Sequence, residues 1–190
     1  MAVKTFTTGE VLTASDTNTY LNNGGLVYVG QTTAGAGVTS VPLDNIFTAS
    51  YNAYKIIASG GTASTTAVFT LQLLNSSGTP ITTGYYETFI YSAYSGATVL
   101  AANGNNVSSF QRFGGSISTT GAMGSCDLFN PFLATETTYS SSPRADAAAG
   151  NAGLSNGFQS SAVSCRGIKI SVSAGTVSGT VLTAYGYRLG

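Results

Sequence analysis

Few residues of this chain can do acid–base work. It contains no histidine, which removes Ser–His–Asp and Cys–His arrangements and the commonest zinc ligand. No phosphate-cradling P-loop occurs either. What remains is a carboxylate pair of the kind that cleaves glycosidic bonds, with two carboxyls about 5–9 Å apart across the sugar. Glu87, Asp127 and Glu136 are the candidates, because each falls on or beside a stretch that reads as strand. The competing reading is structural: each pairs with Arg or Lys, or caps a turn. The absence of tryptophan, the side chain most suited to stacking on sugars, favours the structural reading. No catalytic residue is assigned, no metal-ligand set stands out, and no cofactor is called for.

Two further groups could carry function. Tyr85, Tyr86, Tyr91 and Tyr94 form an aromatic run that would suit a receptor-binding face, since tyrosine gives amphipathic contact at low entropic cost. The alternative is ordinary strand packing, with half of the rings in the core. Cys126 and Cys165 are the only cysteines. They read as buried free thiols in a reducing compartment, and a bridge would need their strands to be neighbours.

The elements that would position these residues are strands. Leu26–Val29, 53–58, 66–74, 85–94, 108–113, 125–129, 137–141, 167–172 and 180–187 are rich in β-branched and aromatic residues, and Gly, Ser and Asn turns separate them. In the stretch 66–74, Ala67, Phe69, Leu71 and Leu73 should share one face, opposite Thr70 and Gln72. Asn75-Ser76-Ser77-Gly78 should then turn a hairpin. Many short strands without alternating helices predict an all-β, antiparallel β-sandwich of jelly-roll type over residues 26–190. The segment 145–156, rich in Ala, Gly and Asn, reads as a long surface loop. Residues 1–25 read as a separate segment: a short strand at Val3–Phe6, then about two turns of helix over 14–22, capped by Thr13 and ended by Gly24-Gly25. A helix that short needs a surface to dock on.

Composition narrows the function classes. The 190 residues carry 7 basic and 7 acidic side chains, with no basic run, so the chain has no electrostatic footprint for nucleic acid. No apolar stretch is long enough for a transmembrane helix, and the N-terminus has no secretory h-region. Charged residues are only 7% of the chain. Polarity comes from Ser, Thr, Asn and Gln, a balance that suits a subunit of an assembly more than a solitary soluble monomer.

The run Lys4-Thr5-Phe6-Thr7-Thr8-Gly9-Glu10-Val11-Leu12-Thr13-Ala14-Ser15-Asp16-Thr17-Asn18-Thr19-Tyr20-Leu21 resembles the opening of minor virion proteins of tailed bacteriophages. There a TF-x-x-GE-x-LTA-x-D-x-NTYL stretch recurs in tail-fibre, minor-tail and head-fibre chains. The run 44–56, with Phe47, Tyr51, Tyr54 and Ile56, is similar to the start of their β domains, and 184–188 to their last strand. The resemblance implies a non-enzymatic structural protein of the virion, assembled in the host cytoplasm: a fibre-like appendage or a capsid decoration. It implies attachment to capsid, portal or connector, or tail through the N-terminal segment. That role would fall on Phe6, Val11, Leu12, Tyr20 and Leu21, unless these five only dock the short helix onto its own β domain. It further implies a homotrimer, with a host surface glycan as a candidate ligand. A host-recognition module and, behind it, a polysaccharide depolymerase are the alternatives.

Overall fold

The structure, a computed structural model, describes residues 7–11, 13, 25–96, 98–118, 121–142 and 151–188. The expected N-terminal strand and helix lie outside the described residues, as do Phe6, Leu12, Tyr20 and Leu21. Among the described residues the chain is all β. The strands are β1 (Leu26–Thr33), β2 (Ser40–Leu43), β3 (Ala53–Gly60), β4 (Thr62–Ala63), β5 (Ala67–Asn75), β6 (Tyr85–Ala93), β7 (Val99–Val107), β8 (Phe110–Ile117), β9 (Gly121–Phe129), β10 (Thr137–Ser141), β11 (Asn151–Gln159), β12 (Cys165–Val172), β13 (Val177–Ser178) and β14 (Val181–Tyr187).

Twelve of them form one curled antiparallel sheet, and β4 and β13 make a separate two-stranded clasp. Strand β9 is the junction. One of its edges pairs with β3 along eight residues, and β3 leads on to β14 and β1. Its other edge is shared: Gly121–Gly124 pair with β8, and Cys126–Phe129 pair with β10. From β8 a branch runs through β5 and β12 to β2. From β10 the main sheet continues through β11 and β6 to β7. The branch folds over β14, β3 and β9, so two layers enclose one core as in a sandwich, joined by hydrogen bonds through β9.

Period-2 patterning places the core. Ala67, Phe69, Leu71 and Leu73 of β5 are buried while Val68, Thr70 and Gln72 are not, as the alternation predicts. Phe69, Leu71 and Leu73 meet Tyr54, Ile56 and Ala58 of β3, Leu182 and Ala184 of β14, and Ile168 and Ile170 of β12 in one cluster. The hairpin after β5 forms at Asn75–Gly78, closed by Gly78 N–H donating to the Asn75 carbonyl.

The fork between β8 and β10 sets the geometry of everything beyond it. In the β5–β8 pairing, Phe69 faces Gly114 and Leu71 faces Phe110, so Thr70 alone stands opposite Gln111, Arg112 and Phe113. This bulge takes backbone groups of β8 out of the ladder, and these groups, on the partly buried residues Gln111 and Arg112, need other partners. Side chains from the diverging leaf replace the missing strand. The Glu87 carboxylate, on a residue 5% exposed, accepts from Gln111 N–H at 2.6 Å and Arg112 N–H at 3.2 Å, and from the Ser155 hydroxyl. The Tyr139 hydroxyl donates to the Arg112 carbonyl at 2.8 Å. Ser141 Oγ lies 2.8 Å from the Ser125 carbonyl and 3.4 Å from that of Phe113, so it bridges β9 and β8. Aromatic stacking fills the space between: Phe110 lies flat on Tyr139 with centroids 4.2 Å apart, and Tyr85 meets Phe110 edge-on at 4.9 Å.

Where β8 still pairs with β9, Gly114 faces Gly124. A Cβ on Gly114 would stand 2.4 Å from the Met123 carbonyl oxygen, so only glycine allows the strands to close there before they part.

Several elements differ from the sequence reading. Residues 151–156 are not loop but the first part of β11, which pairs with β6 from Asn151 to Gln159. Its small residues serve close approach: a Cβ on Gly157 would stand 2.1 Å from the Tyr86 carbonyl oxygen. Strand β7 was not expected, because Asn and Gly disfavour strands, and neither was β2, which is short and contains Pro42.

If Glu87 carries the fork, Glu87→Ala lowers unfolding free energy by about 3 kcal/mol, as two partly buried N–H groups and the buried Ser155 hydroxyl lose their acceptor. Glu87→Gln and Tyr139→Phe cost about 1–2 kcal/mol each. Urea melts followed by circular dichroism check this; a Glu87→Ala loss below that of Tyr139→Phe would refute the assignment.

Candidate functional site

The three candidate carboxylates are not brought together as a facing pair. Glu87 points to the inner face, and its oxygens are engaged by β8 and Ser155. Asp127 lies on the outer face, where Lys55 approaches at 3.3 Å and the Tyr187 hydroxyl donates at 2.5 Å. Desolvation, with the hydrogen bond to Asp127 adding to it, pushes the Tyr187 phenol up to about 12. Glu136 is exposed, one residue before β10. Among the described residues no group of three or more potential metal-ligating side chains occurs.

The tyrosine run divides between environments, and Tyr85 leaves the proposed receptor face altogether. It is fully buried, and its hydroxyl accepts from Leu73 N–H at 2.8 Å, serving β5 beyond the end of β8. Tyr91 stacks on Phe89 at 4.8 Å on the inner side. Tyr94 is 68% exposed past the end of β6. Tyr86 alone lies on the outer face of the leaf, stacked on Phe158 of β11 with centroids 4.9 Å apart. Strand alternation makes this division unavoidable, since neighbours in a strand point to opposite faces. Of the five N-terminal candidates, Val11 alone is described, and it is 79% exposed.

Strand register gathers other residues around Tyr86. One row of directly paired residues crosses eight strands: Tyr28, Tyr185, Lys55, Asp127, Ser140, Asn156, Thr88 and Asn103. The next row holds Phe129, Thr138, Phe158 and Tyr86. Over β10, β11, β6 and β7 these rows line an open trough. The Tyr86–Phe158 pair stands beside Thr88, Asn103, Asn156 and Thr138, with Glu136 and Asn105 at its borders. Aromatic faces, amide donors and acceptors, hydroxyls and one carboxylate are groups that recognise a neutral, hydroxyl-rich ligand by stacking and multiple hydrogen bonds. Phe158, Asn156 and Asn103 escaped the sequence reading because their strands, β11 and β7, carry weak strand propensity. The only local signal was the aromatic Phe158 within Asn156-Gly157-Phe158-Gln159.

No family model, curated protein or solved structure matches this chain.

The thiols occupy the core. Cys126 and Cys165 are both free and buried. Burial pushes the Cys165 thiol up to about 11 and that of Cys126 well above its ordinary value. Burial also raises the phenols of Tyr85 and Tyr139. In each case the folded state holds a proton that the unfolded chain releases at lower pH. Stability is therefore complete below the ordinary thiol value of 9.0 and falls as pH rises from there through about 11. Urea midpoints measured from pH 7 to 11 should stay level and then drop above pH 9.0. A thiol reagent at pH 7 should label neither cysteine until denaturant is added; rapid native labelling of both would contradict their burial.

Proposed function

We propose that this protein is a structural component of a tailed-phage virion, displayed on the particle as a fibre-like appendage or capsid decoration. The N-terminal segment would join it to capsid, connector or tail proteins, and the β domain would face outward. The observation that carries this reading is the resemblance of residues 4–21 to the opening of such virion proteins. The β domain is consistent with it. Its buried carboxylate is spent on holding two sheet layers together, and its broad outer face is made of hydroxyls, amides and rings. Subunits of such appendages assemble with copies of themselves, and a homotrimer is the assembly the resemblance implies. Quantitative mass spectrometry of purified particles tests the reading. The chain should be present, at a copy number tracking the major capsid protein for a head decoration or at a few copies for a tail appendage. Its absence from particles would overturn the proposal. A variant lacking residues 1–25 should fold but fail to join particles.

The trough supports a second reading, recognition of a host surface glycan. Tyr86 and Phe158 would stack on a sugar ring while Asn103, Asn156 and Thr88 bond its hydroxyls. On this reading Tyr86→Ala weakens binding of purified protein to host cells about tenfold, equivalent to about 1.4 kcal/mol, and Tyr94→Ala leaves it unchanged. Equal binding by wild type and Tyr86→Ala would remove the trough from any such role.

A further inference from the structure

The sheet has three terminal strands among the described residues, β1, β2 and β7, and they are not equally protected. Strand β2 is four residues long and carries Pro42, a residue that cannot donate to a ladder. It also packs beside β1 at the mouth between the layers. Strand β1 is broken by a register shift between Tyr28 and Gly30. Both are blunted in the ways natural sheets use to avoid pairing with another chain.

Strand β7 has a register shift too, between Glu87 and Tyr85 of β6, but it falls near one end and leaves a longer regular stretch. From Val99 to Gly104 it pairs with β6 in unbroken register, Ser92 facing Val99 through Glu87 facing Gly104. No described residue pairs with its other edge. That stretch, Val99-Leu100-Ala101-Ala102-Asn103-Gly104, contains no proline and no charge. Apolar side chains stand exposed around it on both faces: Val99 at 67%, Leu100 at 47%, and Ile90 of β6 at 52%. An uncharged, regular edge flanked by exposed apolar side chains is a template for strand addition.

We propose that β7 pairs with β7 of a second copy of this chain, antiparallel and about a two-fold axis, to make one sheet continuous across two subunits. Charge selects this occupant. A two-fold axis brings each edge together with its own copy, so any charge on the edge would stand close to its like. This edge has none, and the only ionisable carboxylate of the adjacent strand β6, Glu87, is buried. The pairing also brings the two Asn103-containing troughs side by side across the axis, so one assembly would present two copies of the same surface.

The test uses the full-length chain and is independent of particles. Sedimentation equilibrium of wild type should give an even number of subunits, two, or six if the implied trimer also forms. A mass of one or three subunits overturns the proposal while leaving the virion reading standing. Ala101→Lys places a charge against its mate and should halve the mass with an unchanged circular dichroism spectrum. A folded Ala101→Lys variant of wild-type mass overturns the proposal. Single substitutions Ala101→Cys, Ala102→Cys and Asn103→Cys supply a readout that does not depend on that variant folding. Residues nearest the axis should form covalent dimers under mild oxidation, at least tenfold more than a control cysteine at Thr33 on the β1 edge. No enrichment over that control overturns the proposal.

Discussion

A β-sheet can fork only if the backbone groups exposed where its strands part find other partners. In this protein that requirement falls on a few atoms of β8. Gln111 and Arg112 offer N–H groups and Arg112 a carbonyl oxygen in a partly buried site where, among the described residues, the β5 ladder is interrupted and β9 no longer pairs. The Glu87 carboxylate and the Tyr139 hydroxyl complete them. Glu87 sits on β6, Tyr139 on β10 and Ser155, which bonds Glu87, on β11. The same contacts that satisfy β8 thus fix the leaf of β10, β11, β6 and β7 at a defined angle to the branch. A buried carboxylate is costly unless its oxygens are fully engaged. Here three donors engage them, and the cost is offset by the backbone groups it relieves.

That arrangement decides what the outer surface can be. With the branch covering one side of the sheet, the other side is left as a face eight strands wide. Its residues are those that alternation turns away from the core: hydroxyls, amides, scattered aromatics and one partly exposed Lys55–Asp127 pair. Such a pair adds little stability in water, and the face gains its character from neutral polar groups. A surface of this kind suits contact with neutral partners, either neighbouring subunits or sugars, and makes long-range electrostatic steering a minor factor.

The strands richest in β-branched and aromatic residues, β3, β5, β6, β12 and β14, were legible because alternation and composition agree there. Strands β7 and β11 were not. Their Asn, Gly and Ala residues have low strand propensity, and they are strands because β6, β10 and the fork hold them in register. Gly157 in particular reads as a loop residue but is required by the close approach of β11 to β6. The candidate site followed the same division. Tyr86 was legible as an aromatic on a strand, whereas Phe158, Asn156 and Asn103 became its neighbours only through pairing across long stretches of sequence.

The sequence by itself determined the all-β class, the inward face of β5, the hairpin at Asn75–Gly78 and the narrow choice of ionisable groups, since these depend on local propensity, period and composition. Only the tertiary structure decided which side of the sheet each tyrosine faces in space, that Glu87 serves the backbone of β8, and which strand edge has no partner among the described residues. Those outcomes depend on register between residues far apart in the chain, and on where a forked sheet leaves backbone groups to be satisfied. Local propensity carries no information about either.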